Sequence, residues 1–243
     1  MEIIKTTGLT KTYRNNALEV HAVKQVNLSI EEGEFTAIVG PSGSGKTTLF
    51  NMIGGLDDIT AGNIEIAGTN ISNLKENELI DFRLKHIGFV FQAYNLIPVL
   101  TAKENVAFIM LLQGLSEKER MQRSEDLLKQ VGLGDKFDSR PNQLSGGQQQ
   151  RVAAARAMAT KPEVIFADEP SGNLDSKSSK ELLTFMKSVV NELNQTIVMV
   201  THDPYAASFA ERVIMLKDGE VASDMEEPTQ EEIISRVTSL SDI

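Results

Sequence analysis

Apolar positions open the chain in short runs. Ile3–Leu9 and Val20–Ile30 alternate with polar residues and predict strands, and Phe35–Val39 has the length and character of a buried one. A glycine- and serine-rich loop follows, and then an apolar segment, Thr47–Gly54, which predicts a helix. That strand–loop–helix order is what phosphate-binding folds require. Gly62–Ile66 and Ile87–Phe91 read as further strands. From about Ala93 to Leu144 the period becomes helical, with Leu111, Leu112 and Leu115 on one stretch and Met121, Leu127, Leu128 and Val131 on another, so a helical insertion is expected. Gln148–Thr160 (helix), Val164–Ala167 (strand), Ser178–Leu193 (helix) and Thr196–Val200 (strand) then alternate as in an α/β core. Near the end, Thr229-Gln230-Glu231-Glu232 fits a capping box ahead of Ile233, Ile234, Val237 and Leu240. A short terminal helix is expected there, its apolar stripe serving local packing or a partner.

Composition narrows the class. At 243 residues the chain suits one α/β domain with an inserted lobe, or two small domains. With 41% hydrophobic and 24% charged residues it has the make-up of a folded globular protein. A formal net charge of −10 disfavours broad attraction to phosphate backbones or anionic lipid, so nucleic acid is not an expected partner. The absence of cysteine excludes disulfides and thiolate zinc sites and fits a reducing compartment. Met1-Glu2-Ile3-Ile4-Lys5 lacks the basic start and apolar run of a secretory signal. Stretches such as Val106–Leu112 fall short of the roughly 20 residues that span a bilayer, so any membrane role is expected to come through a partner.

The loop after the third strand, Gly40-Pro41-Ser42-Gly43-Ser44-Gly45-Lys46-Thr47, satisfies the GxxxxGK[ST] pattern. Glycines let backbone N–H groups turn inward around phosphate oxygens, and the next helix adds its positive end. Lys46 can reach the β- and γ-phosphates, the Thr47 hydroxyl suits Mg²⁺, and Thr48 joins the nucleotide-binding set. A chance glycine-rich turn is the alternative, made unfavourable by the strand before and the helix after. Alone, the motif covers kinases, GTPases and transporters.

A second constellation is sharper. Leu144-Ser145-Gly146-Gly147-Gln148, then Gln149-Gln150-Arg151-Val152, places a hydroxyl and two unobstructed glycine N–H groups at a helix N-terminus, again an anion site. Two phosphate-binding ends in one chain make the sequence resemble the ATP-binding cassette (ABC) nucleotide-binding subunits over residues 1–222. The resemblance implies a fold: an α/β, P-loop NTPase (RecA-like) core with an N-terminal antiparallel β subdomain and an inserted helical subdomain. It divides the chain into a core of residues 1–92 and 146–222, a helical signature subdomain of 93–145 and an acidic tail or short helix of 223–243. It also implies two copies paired head to tail, each closing its Ser145-Gly146-Gly147-Gln148 segment over ATP held on the other's phosphate loop.

Other residues match family motifs in the expected order. Tyr13 matches the aromatic that stacks on adenine, a contact worth about 1–3 kcal/mol by analogy with base–aromatic stacking. Gln92, after Gly88-Phe89-Val90-Phe91, matches the glutamine that bridges Mg²⁺, the attacking water and the helical lobe. Val164–Glu169 ends a buried strand in two carboxylates: Asp168 is expected to hold Mg²⁺ and Glu169 to deprotonate the water. Ser171-Gly172-Asn173-Leu174-Asp175 corresponds to the loop that crosses the dimer interface, with Asn173 where many relatives have alanine and Asp175 among the nucleotide-site residues. His202 matches the histidine that contacts the γ-phosphate. Each of these positions also has a bland reading, ordinary packing for Tyr13 and His202 and a solvated strand end for the acids. The motif order argues against it.

The resemblance therefore implies an ATPase using ATP and Mg²⁺, with Glu169, His202, Gln92 and Lys46 catalytic and Thr47, Gln92 and Asp168 at the metal. The wording Phe89–Pro98 and Ala167–Pro170 is similar to the macrolide-efflux, lipoprotein-release and antimicrobial-peptide-resistance subgroup. That implies a peripheral subunit on the cytoplasmic face of the membrane, coupled through about Tyr94–Glu104 to a separate integral-membrane permease for export or resistance. The alternative is a signalling module of the cell-division type that moves no solute. A small-molecule kinase would need an acceptor site, for which no residues present themselves.

Overall fold

The computed structural model describes residues 1–15 and 18–241. Two sheets and a helical layer make up the molecule. The smaller sheet pairs β1 (Glu2–Asn15) antiparallel with β2 (Leu18–Glu31) on one side and β4 (Ala61–Ile66) on the other, with a short β5 (Thr69–Asn70) at the edge. The larger sheet includes β3 (Phe35–Val39), β6 (Ile87–Phe91), β7 (Val164–Asp168), β8 (Thr196–Val200), β9 (Arg212–Lys217) and β10 (Glu220–Glu226), in the order β10-β9-β3-β8-β7-β6. All its neighbours are parallel except the β9–β10 hairpin.

Strand alternation divides the interior in two. Ala37, Val39, Ile165, Ala167, Ile197 and Met199 face the helices, while Ile38, Val164, Phe166, Val198 and Val200 face the smaller sheet. Both faces are covered, so β3 and β8 are buried at every position and read as continuous apolar runs in sequence. Between the sheets lies α1 (Lys46–Ile53), whose Phe50 packs edge-on against Phe89 and Phe166.

The remaining helices are α2 (Glu76–His86), α3 (Ala102–Leu112), α4 (Glu117–Gln130), α5 (Gly146–Met158), α6 (Ser176–Leu193), the single turn α7 (Pro204–Ala207) and α8 (Gln230–Ser241). The insertion is helical as expected, but α3 begins only at Ala102; before it, Tyr94 and Asn95 adopt left-handed φ values of 56° and 50°. Its buried face is Ala102, Val106 and Met110, whereas Leu111 and Leu112 are exposed. The terminal capping box forms: Thr229 N–H donates to Glu232 (2.7 Å) and Glu232 N–H to the Thr229 hydroxyl (3.3 Å). Ile233 is buried beneath α8, which packs on α7 and β9, while Ile234 is exposed. Residues 76–86 and the β9–β10 hairpin are elements the periodicity did not single out, and β10 carries the sheet past residue 222 to Glu226.

Candidate functional site

The register of the larger sheet builds the site. Phe91 pairs with Asp168, Asp168 with Val200 and Val200 with Ile38. Gln92, Glu169, Thr201 and the phosphate loop therefore leave adjacent parallel strands at one level, on the carboxyl edge where open α/β sheets bind ligands.

The loop from Gly40 to Thr47 packs closely against main chain. A Cβ on Gly45, whose φ is 98°, would lie 2.3 Å from the Ala22 carbonyl oxygen, and one on Gly40 would lie 2.2 Å from that of Leu216. Only glycine fits either approach. Ser44 is buried and its Oγ has no hydrogen-bond partner among the described residues, while its carbonyl accepts from Gly219 N–H (3.0 Å). Lys46 Nζ donates to the carbonyls of Gly40 (2.8 Å) and Pro41 (2.9 Å), leaving one ammonium proton uncommitted. Burial lowers its pKa, partly opposed by Glu169. A cleft of about 350 Å³ opens on the loop, lined by Gly43, Lys46, Thr47 and Thr48 and, facing them, by His21, Lys24 and Asp218. The last three carry no local motif and are recognisable only from their place across the cleft.

Tyr13 is 45% exposed. Its hydroxyl donates to Asp57 Oδ2 (2.7 Å), Lys11 lies 5.0 Å from its ring centroid, and Lys11 also pairs with Asp57 (2.7 Å). Burial raises the Tyr13 pKa, as does Asp57, while Thr48 of the phosphate-loop helix opposes the rise. The ring thus stands beside that helix, fixed from behind by an ion pair.

Two carboxylates end β7. Asp168 is half-buried, and its pKa is raised by burial first and by Glu169 second; no cation pairs with it among the described residues. Glu169 takes a left-handed φ of 45° and is tied to the next strand by its N–H to Val200 O (2.9 Å). Its Oε2 accepts from Thr201 Oγ1 (3.1 Å); its Oε1 accepts from His202 N–H (3.0 Å) and lies 2.7 Å from His202 Nδ1. Gln92 instead meets Asn173, whose Nδ2 donates to Gln92 O (3.1 Å) while Gln92 Nε2 donates to Asn173 Oδ1 (3.3 Å).

The Ser145–Gln148 segment does not line the cleft. Ser145 caps α5: its Oγ accepts from Gln148 N–H (3.3 Å) and its own N–H donates to Gln148 Oε1 (2.9 Å). A Cβ on Gly146 or Gly147 would meet Tyr94 Oη or Ser178 Cβ at 2.7 Å. Asp175 caps α6, accepting from the N–H groups of Lys177 and Ser178 (both 3.0 Å) and the Ser178 hydroxyl (2.8 Å), and these bonds lower its pKa. In its own chain Asp175 is a capping residue.

A glycine-rich anion loop, an adjacent pair of strand-end acids and a histidine held on one of them define a P-loop nucleotide hydrolase. Residues 23–172 match the ABC transporter family. The chain is 42% identical over 243 residues to the bacitracin export ATP-binding protein BceA of Halalkalibacterium halodurans, covering all of this chain and 94% of that one. It is 46% identical over 224 residues to the macrolide export ATP-binding/permease protein MacB of Aggregatibacter actinomycetemcomitans, covering 92% of this chain but 35% of that one. Among solved structures, the dimeric post-hydrolysis state of the ATP-binding cassette MJ0796 bound to ADP and Pi, from Methanocaldococcus jannaschii, superposes with a TM-score of 0.85 at 45% identity, covering 93% of this chain and 99% of that one. The chain belongs to the ABC transporter family and is an ATPase of that family. The chain spans about a third of the MacB relative and nearly all of BceA. No helix among the described residues is long and apolar enough to cross a membrane.

Proposed function

We propose that this chain pairs head to tail with a second copy around two ATP–Mg²⁺ and powers a separate membrane permease, as a peripheral subunit on the cytoplasmic face, in export of or resistance to an antimicrobial compound. Near full-length similarity to BceA, and to the cassette portion of MacB, supports that assignment. The observation that carries the chemistry is the grip on Glu169: both carboxylate oxygens are fixed, by Thr201 and by His202, next to the phosphate loop.

Tyr13 receives the adenine, and the Gly40–Thr48 loop receives the phosphates, with Lys46 turning its ammonium from the loop carbonyls to the γ-phosphate. Thr47, Gln92 and Asp168 would hold Mg²⁺. An unpaired, partly desolvated carboxylate suits a hard cation that takes few protein oxygens and keeps phosphate and water ligands. Bound there, Mg²⁺ supplies charge neutralisation on the phosphate oxygens. Glu169 accepts the proton of the attacking water, and His202 meets the γ-phosphate. Ser145, Gly146, Gly147 and Gln148 of the second copy close over that phosphate, which accounts for a signature segment lying outside its own chain's cleft.

Glu169→Gln tests the reading. It keeps the size of the side chain and removes the base, so nucleotide affinity should persist, ATP turnover should fall by about 10²–10⁴-fold, and a dimer should accumulate in ATP. Ordinary turnover by this variant, with size-exclusion chromatography showing monomer in ATP, would refute it.

A further inference from the structure

The bonds between Gln92 and Asn173 determine each other's direction. A backbone carbonyl only accepts, so the end of the Asn173 amide facing Gln92 O must be its NH₂. The oxygen is then the end left for the Gln92 side chain, which must present its own NH₂ to it. The Gln92 amide is thereby turned with Oε1, the one atom of that side chain able to ligate a cation or accept from a water, directed away from Asn173 and without a hydrogen-bond partner among the described residues.

Neighbouring groups hold this arrangement in place. A Cβ on Gly172 would lie 2.7 Å from Gln92 Nε2 and 3.4 Å from Glu169 O, so glycine leaves the space in which the amide rests. Below, fully buried Gln150 donates to Phe91 O (3.1 Å) and Pro170 O (2.7 Å), joining the residue before Gln92 to the residue after Glu169. Arg156, also on α5, donates to the carbonyls of Tyr94 (3.0 Å) and Asn95 (2.6 Å). The two loop backbones are thus clamped by α5, and the orientation of the Gln92 side chain is left to Asn173.

We propose that Asn173 is a positioning residue for Gln92, fixing which end of its amide faces the reacting phosphate and tying that choice to the 171–175 loop. The proposal rests on the role assigned to Gln92 above. Asn173 is exposed, so its truncation leaves the core untouched.

The test is steady-state ATPase of the full chain, varied in ATP and in Mg²⁺, for Asn173→Ala, Gln92→Ala, the double variant and Gly172→Ala, together with Mn²⁺ titration of each protein carrying a non-hydrolysable ATP analogue, read by electron paramagnetic resonance. In that titration Asn173→Ala should weaken Mn²⁺ binding several-fold, and unchanged binding overturns the proposal. Asn173→Ala should lower kcat and raise the Mg²⁺ concentration for half-maximal rate, each by about tenfold as for other groups that orient a metal's ligands, with KM for ATP within about twofold. In the Gln92→Ala background the same change should have no further effect. Gly172→Ala, which displaces the amide from the other side, should reproduce the kcat loss. Equal losses from Asn173→Ala with and without Gln92 overturn the proposal, as does an unchanged Mg²⁺ dependence. Impaired Gln92→Ala beside normal Asn173→Ala overturns the positioning role alone, whereas a normal Gln92→Ala removes the role of Gln92 and this inference with it.

Discussion

Oε1 of Glu169 lies 2.7 Å from Nδ1 of His202 and accepts the His202 backbone N–H at 3.0 Å, so one carboxylate oxygen fixes both the main chain and the ring of the same residue. The ring is largely exposed, with its side chain 72% accessible, and nothing but Glu169 holds it among the described contacts. With Nδ1 turned to the carboxylate, Nε2 is the ring nitrogen left facing outward, without a protein partner among the described residues.

His202→Ala should therefore act on turnover more than on binding. The expected loss in kcat is about 10²-fold, with ATP affinity changed only a few-fold. Single-turnover kinetics alongside nucleotide titration separate the two quantities. A variant that lost affinity and kept kcat would place the histidine at the ground state instead.

Asp168 gives a prediction with a sign. Burial and Glu169 raise its pKa in the folded protein, so the fold binds this proton more tightly than the unfolded chain does. Stability from this group is present at low pH and is lost as pH rises through its folded pKa. Asp168→Asn should raise the thermal midpoint of the nucleotide-free protein at neutral pH while abolishing ATPase activity. The gain should shrink as pH falls into the carboxylate range, which melting curves at several pH values measure directly.

Gly45→Ala places a methyl group 2.3 Å from a backbone oxygen, at a φ of 98°. Backbone strain of about 1–3 kcal/mol corresponds to a fall in thermal midpoint of about 2–12 °C for a chain of this size. Nucleotide affinity should drop with it, because the same glycine is the N-cap of α1 and precedes Lys46. An alanine variant with unchanged melting and affinity would show that the loop rearranges freely.

Much of the site was legible without coordinates because its parts are local. Consecutive glycines, a lysine and a threonine specify an anion loop by backbone freedom alone. Two acids after Val164–Ala167 mark a strand end, and Thr229 with Glu232 specifies a cap within four residues. The β9–β10 hairpin was harder to see: Val213–Leu216 is a four-residue apolar run with no period of its own, and it becomes a strand by joining the edge of β3. Leu111 and Leu112 lie in a helix, as their period predicts, but which face of it is buried was not legible, for a related reason. Helix α3 presents to the core whichever face meets α4 and α5, and Val106 and Met110 lie on it.

The sequence by itself determined the chemistry available to this protein: a phosphate loop, a signature segment, two strand-end acids and a histidine, each set by residues adjacent in the chain. Only the tertiary structure decided how those parts meet. Parallel pairing brings Phe91, Asp168, Val200 and Ile38 to one level, so residues far apart in sequence leave the sheet side by side. The same packing gave Glu169 its hold on His202 and Gln92 its amide partner in Asn173. Such contacts depend on strand register and loop direction, which arise from the whole buried sheet and which no local motif encodes.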